Sequence, residues 1–154
     1  MIYLRSVAPL AGLLMLASCV QTDINPKLRK VLADSRPGAR VGFVGDIGPI
    51  LRDSCLPCHN AERAMAGVDF SSSEAMMAFS PEGPLIVPGE PVRSRLFQVI
   101  VLRDDAPDAM PPTGHALNSG EVTLLRDWIR QGADWPDGKE GQLKPIPGSE
   151  PRSM

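Results

Sequence analysis

Aromatic residues are scarce in this 154-residue chain: Tyr3, Phe43, Phe70, Phe79, Phe97, Trp128 and Trp135 are the whole set, 5% of the sequence. A core with so few rings gains from a large apolar cofactor. An excess of charge is also missing, with 16 Lys and Arg against 18 Asp and Glu and a formal net charge of −2. That leaves no basic footprint, so nucleic acid is not expected as a partner. Three cysteines do not make a disulfide framework. No apolar run reaches the ~20 residues that a membrane-spanning helix needs. What the chain does have is 14 Gly and 16 Pro in a composition that is 43% apolar. Such a chain suits a single domain of short helices joined by long irregular connections.

Residues 1–18 read as an export signal. Arg5 is the one charged residue before Asp23, and an apolar, small-residue run extends from Val7 to Ala17. This is the order of a secretory signal peptide. The run ends in Leu16-Ala17-Ser18-Cys19, which resembles a bacterial lipobox. The resemblance implies cleavage before Cys19 and lipid on that cysteine, so the chain would be anchored to a membrane without spanning it. Val20, rather than Asp, after the cysteine favours the outer membrane over the inner one, with the protein on the periplasmic face.

Residues 19–43 then read as the lipidated Cys19 and a flexible tether reaching about 25–30 Å. Within it, Asn25 can cap a short helix from Pro26 to Asp34 with Leu28, Val31 and Leu32 on one side. The folded unit is expected over 44–135. Asp46 is placed to cap a helix that buries Ile47, Ile50 and Leu51, and Ser71 with Glu74 forms a capping-box pattern ahead of Ala75, Met76, Met77 and Phe79. Pro91 should start a third helix, to Leu102, with Val92, Leu96, Val99 and Ile100 inward. Asp104 to Leu117 reads as loop. Asn118 and Glu121 open a last helix with the stripe Val122, Leu125, Trp128 and Ile129, stopped by Gly132 and Pro136. Residues 136–154 are polar and proline-rich and read as a disordered tail. The fold class is all-α.

Cys55-Leu56-Pro57-Cys58-His59 is a C-x-x-C-H sequence, the attachment signature of a c-type haem. Two residues between the thiols let both reach the vinyl groups on one edge of a porphyrin. The adjacent His59 can then bring its imidazole to the iron. A structural zinc would want four thiolate or imidazole ligands, and neighbouring Cys58 and His59 chelate one ion poorly. A redox dithiol of the thioredoxin kind would need a βαβ setting that the helical pattern does not supply. Two of three cysteines and one of two histidines fall in this one motif, in a chain read as exported.

Haem iron in cytochromes c often takes Met opposite His, which raises the reduction potential. Met65, Met76, Met77, Met110 and Met154 are available. Met110 heads Met110-Pro111-Pro112, where two prolines restrict the loop that would carry the thioether, and it is the preferred distal ligand. His115 is the rival and would give bis-His ligation at a lower potential.

The ordered set Ile50-Leu51, Cys55-x-x-Cys58-His59, Gly67-Val68-Asp69-Phe70, Ile86-Val87-Pro88-Gly89-Glu90-Pro91, Ser94, Leu96-Phe97, Met110-Pro111-Pro112, Leu117, Glu121, Leu124-Leu125, Trp128-Ile129 and Gly132-Ala133-Asp134-Trp135 resembles the planctomycete-type cytochrome c domain. The resemblance implies a helical cytochrome c-like fold around one covalent haem c, with His59 as proximal and Met110 as distal ligand. Crossing of the first and last helices is also implied, with Gly48 and Trp128 as contact residues. The expected function is single-electron transfer between redox proteins, not enzymatic catalysis. A haem-based gas or redox sensor and a peroxidase-like protein are the alternatives, both needing a labile or open distal position.

Overall fold

The computed structural model describes residues 25–33, 38–77, 84–112 and 116–148, and every regular element among them is helical. Five helices follow one another: α1 (Pro26–Ala33), α2 (Gly48–Ser54), α3 (Ser73–Met77), α4 (Arg95–Ile100) and α5 (Ser119–Arg130). A π-helical turn, Phe43–Ile47, leads directly into α2. The all-α expectation holds. The segments 1–18 and 149–154, with Cys19, Asp34, Phe79 and His115, lie outside the described residues.

The longest helix is also the best capped. Asn118 Oδ1 accepts from the Gly120 and Glu121 N–H groups, and the Glu121 carboxylate accepts from Asn118 N–H. This closes a full capping box, worth on the order of 1 kcal/mol. Val122, Leu125, Trp128 and Ile129 are fully buried, as the helical period requires. α5 also buries Arg126 and Asp127, which the apolar stripe does not foretell.

That buried pair explains why the domain starts earlier than the sequence suggests. An eight-residue helix is marginal by itself, yet α1 is docked on α5. Val31 is fully buried, and its carbonyl accepts from the Arg126 guanidinium. Arg126 Nε donates to Asp127 Oδ1 at 2.8 Å, and Arg130 reaches the same oxygen at 3.0 Å. Asn25 caps α1 as expected, accepting from Lys27 N–H at 2.9 Å. The flexible-tether reading of 19–43 is therefore corrected over Pro26–Ala33, which packs into the core through Val31. Leu32, placed on the inward side by the sequence, is exposed.

Other element starts shift by a residue or more. Asp46 is not an N-cap but lies inside the π-turn, where its carboxylate reaches back to Gly42 N–H. Ser72, not Ser71, accepts from Ala75 N–H at the head of α3. The expected helix from Pro91 is split. Pro91–Arg93 forms a 3₁₀ turn, Ser94 turns extended, and α4 begins at Arg95. Ser94 is fully buried because its hydroxyl oxygen accepts from Val87 N–H, tying the preceding loop to the helix. The break turns Val92 outward, 74% exposed, while Leu96, Phe97 and Ile100 face the core.

The scarce rings are pooled. Phe43 stacks on Trp135 with centroids 4.4 Å apart, and Trp128 lies 6.1 Å from both. Trp135 Nε1 donates to the Gly141 carbonyl, and Trp128 Nε1 to the Asp134 carbonyl. At Gly141 a Cβ would fall 1.7 Å from the Pro136 carbonyl oxygen, so only glycine fits. This turn carries Leu143 into the core, where its N–H donates to the Ser71 carbonyl. The disordered-tail reading of 136–154 is thus corrected through Leu143. Gly48 packs against Phe43 and Leu143, so its link to Trp128 runs through the Phe43 ring.

Leu143→Ala in the full chain is expected to cost about 2–5 kcal/mol, the range for truncating a buried leucine. Denaturant unfolding checks this, and an unstructured tail would show no loss.

Candidate functional site

The C-x-x-C-H motif hangs from the end of α2. Cys55 and Leu56 N–H groups both donate to the Leu51 carbonyl, and Cys58 and His59 N–H groups both donate to the Cys55 carbonyl. The motif is therefore a continued helical turn, pinned from within by the fully buried Leu56. This wind carries Cys55 inward and leaves Cys58 and His59 half-buried. Cys55 and Cys58 are free thiols, not joined to each other. Burial, helped by the nearby Cys58, pushes the Cys55 thiol up to about 12.

His59 is held by a backbone carbonyl and an aromatic ring. Its Nδ1 lies 3.0 Å from the Met65 carbonyl. A carbonyl only accepts, so Nδ1 carries the proton and Nε2 keeps the lone pair for a metal. The Phe70 ring meets the imidazole edge-on, with centroids 6.0 Å apart and planes at 87°. Burial holds the imidazole below its ordinary pKa, partly offset by the Met65 and Val68 backbone; the net lowering favours the neutral ring, the form able to act as a metal ligand.

The Met65 carbonyl is aimed by an unusual backbone. Ala64 and Ala66 both have positive φ, 30° and 55°, and Gly67 follows at 73°. Left-handed alanines each cost about 1–2 kcal/mol. The neighbouring Asn60 is buried and uses both ends of its amide: Nδ2 donates to the Leu56 carbonyl, while Oδ1 accepts from Glu62 and Arg63 N–H. Its carbonyl accepts from Ala64 N–H at 2.7 Å, and Met65 N–H returns to the Cys58 carbonyl. Neither Asn60 nor Met65 stands out as a positioning residue from sequence. The visible signal for them is limited to a polar residue directly after the motif and a glycine at 67.

Met110 is the one described candidate of the distal loop. Its N–H donates to the Val99 carbonyl of α4 at 3.2 Å, its peptide bond to Pro111 is cis, and it is 39% exposed. Pro111 beside it is buried. Met65 is exposed beside the motif and Met76 is buried on α3 as a core residue. A groove of about 980 Å³ lies elsewhere, between residues 38–45 and the end of α5, and none of Cys55, Cys58, His59 or Met110 lines it.

Two unpaired thiols one helical turn apart and a half-buried imidazole whose Nδ1 faces a backbone carbonyl fit the donor set of a covalently bound haem. Residues 55–114 match the protein family described as Planctomycete cytochrome C. The match begins at Cys55 and ends in the distal loop, so α1, α2 and α5 lie outside it. No curated protein and no solved structure matches the chain.

Folded haem-free protein treated with iodoacetamide at pH 8 is expected to be labelled at Cys58 and spared at Cys55. Burial and the raised thiol pKa both withhold the Cys55 thiolate. Peptide mass spectrometry after digestion checks it.

Proposed function

We propose, from the premise that residues 55–114 form a planctomycete-type cytochrome c domain, that this protein is a monohaem lipoprotein carrying single electrons between periplasmic or membrane-bound redox partners. The observation that carries the reading is the His59 imidazole, with Nδ1 spent on the Met65 carbonyl beside two free thiols. Haem c would supply reversible one-electron chemistry at its iron. Cys55 and Cys58 would hold the porphyrin through thioether bonds. His59 Nε2 and the Met110 thioether would hold the iron.

The protein's own part is to keep those donors still. The His59 ring is fixed by a backbone carbonyl and an aromatic edge, neither of which depends on the charge of the iron. The Met110 backbone is returned to α4 and stiffened by two prolines. An electron carrier benefits from this rigidity, because little has to rearrange when the charge changes. A peroxidase-like protein or a gas sensor needs the opposite, an open or yielding distal side. Lipid on Cys19 would confine the carrier to the periplasmic face of the outer membrane. Cleavage before Cys19 removes Arg5 and no acidic residue, and the resulting formal net charge of −3 (15 basic against 18 acidic residues) favours partners with a basic docking face.

Expression with export and cytochrome maturation should yield protein whose intact mass includes one haem, with Cys55→Ser and Cys58→Ser each impairing attachment. The near-infrared band of Met-ligated ferric haem should vanish in Met110→Ala and persist in His115→Ala, and Met110→Ala should lower the reduction potential. The reduced parent should ignore carbon monoxide. Rapid gas binding by the parent would favour the sensor, and loss of the band only in His115→Ala would displace Met110.

A further inference from the structure

We propose that α1 is a strap that positions the loop carrying Met110, with Asn25 and Lys27 as its positioning residues. The iron-side consequence rests on Met110 being the distal ligand; the loop-side consequence does not. The loop leaves α4 at Val101 and returns to it when Met110 N–H donates to the Val99 carbonyl. Short turns shape its interior, with Ala106 N–H on the Arg103 carbonyl and Ala109 N–H on the Ala106 carbonyl. Two ties reach it from α1. Asn25 Nδ2 donates to the Val101 carbonyl at 2.5 Å, where the loop begins. Lys27 Nζ pairs with Asp104 Oδ1 at 3.0 Å, a few residues farther on.

The Lys27 side chain is 17% exposed and that of Asp104 57%, so the pair is partly screened and is the weaker of the two ties. The other side of α1 is fastened to α5 by Val31 and the buried Arg126. The strap therefore bridges the longest helix and the base of the loop. Opening the loop means breaking the Asn25 and Lys27 ties as well as the Val99 return. A thioether held this way stays in place when the iron changes charge and yields less readily to an incoming ligand.

Asn25 has two roles that one substitution separates. Asn25→Asp keeps a side-chain oxygen to cap α1 but removes the donor to Val101 and sets two oxygens against each other. Lys27→Met removes the ion pair and keeps an unbranched apolar stem. Lys30→Ala, at an exposed position on the same helix, is the control. In the full haem-loaded protein, hydrogen exchange at the Met110 amide is expected to rise about two- to ten-fold in Asn25→Asp and in Lys27→Met, the scale of one net hydrogen bond. Lys30→Ala should leave it unchanged. The near-infrared Met band should weaken in the first two variants, and their reduced forms should admit carbon monoxide. Unchanged exchange at Met110 in both variants would overturn the strap. An equal rise at Leu125 in α5 would also overturn it, by showing general loosening. Faster exchange at Met110 in a protein whose parent lacks the Met band would support the strap and refute Met110 as ligand.

Discussion

An imidazole offers two nitrogens, and it is a dependable metal ligand only when one of them is already committed. In this protein the commitment is the hydrogen bond from His59 Nδ1 to the Met65 carbonyl. That carbonyl is aimed by a turn with two alanines and a glycine at positive φ. The turn in turn leans on Asn60, whose side chain and carbonyl satisfy four N–H or C=O groups around it. Leu56, locked in the core, keeps the whole motif at the end of α2. About 1–2 kcal/mol of backbone cost per left-handed alanine is thus tolerated where orientation of a donor is at stake.

Both ends of the described chain are drawn into the core by polar contacts as much as by apolar ones. Val31 comes in with the Arg126 guanidinium on its carbonyl, and Leu143 comes in with its N–H on the Ser71 carbonyl. Arg126 pairs with Asp127 and reaches a helix end, so removing Asp127 would leave a buried guanidinium with no carboxylate, whereas Asp127 without Arg126 would still have Arg130. With so few rings available, the domain gathers Phe43, Trp128 and Trp135 at one junction, and Phe70 and Phe97 join aliphatic side chains in the rest of the core. The indole N–H groups are both satisfied by backbone carbonyls just past α5.

Elements whose residues speak locally were legible in the sequence. The α5 capping box, its apolar stripe and the Asn25 cap could all be read because each depends on residues two to four apart. The C-x-x-C-H spacing was legible for the same reason. What escaped depended on distant partners. Val31 and Leu143 are single apolar residues in polar surroundings, and nothing near them reveals that Arg126 or Ser71 awaits them. Val92 matched the helical period, yet a buried serine at 94 interrupted the helix before that period applied. The carbonyl of Met65 has no sequence signature at all, since every residue has one and its direction is a matter of φ and ψ.

Under the proposed lipid anchor at Cys19, the docking of α1 would change how far the domain could stray from a bilayer. A leash that ran freely from Cys19 to residue 43 would let the domain tumble. With α1 fastened, only residues 20–24 separate a lipidated Cys19 from Asn25, a reach of at most about 20 Å when fully stretched. A lipid on Cys19 would then act as a short stalk at the Asn25 end of α1, beside Val101. The face that carries the distal loop would stay near the headgroups, and exchange with large, freely diffusing proteins would give way to neighbours seated in or on the same membrane.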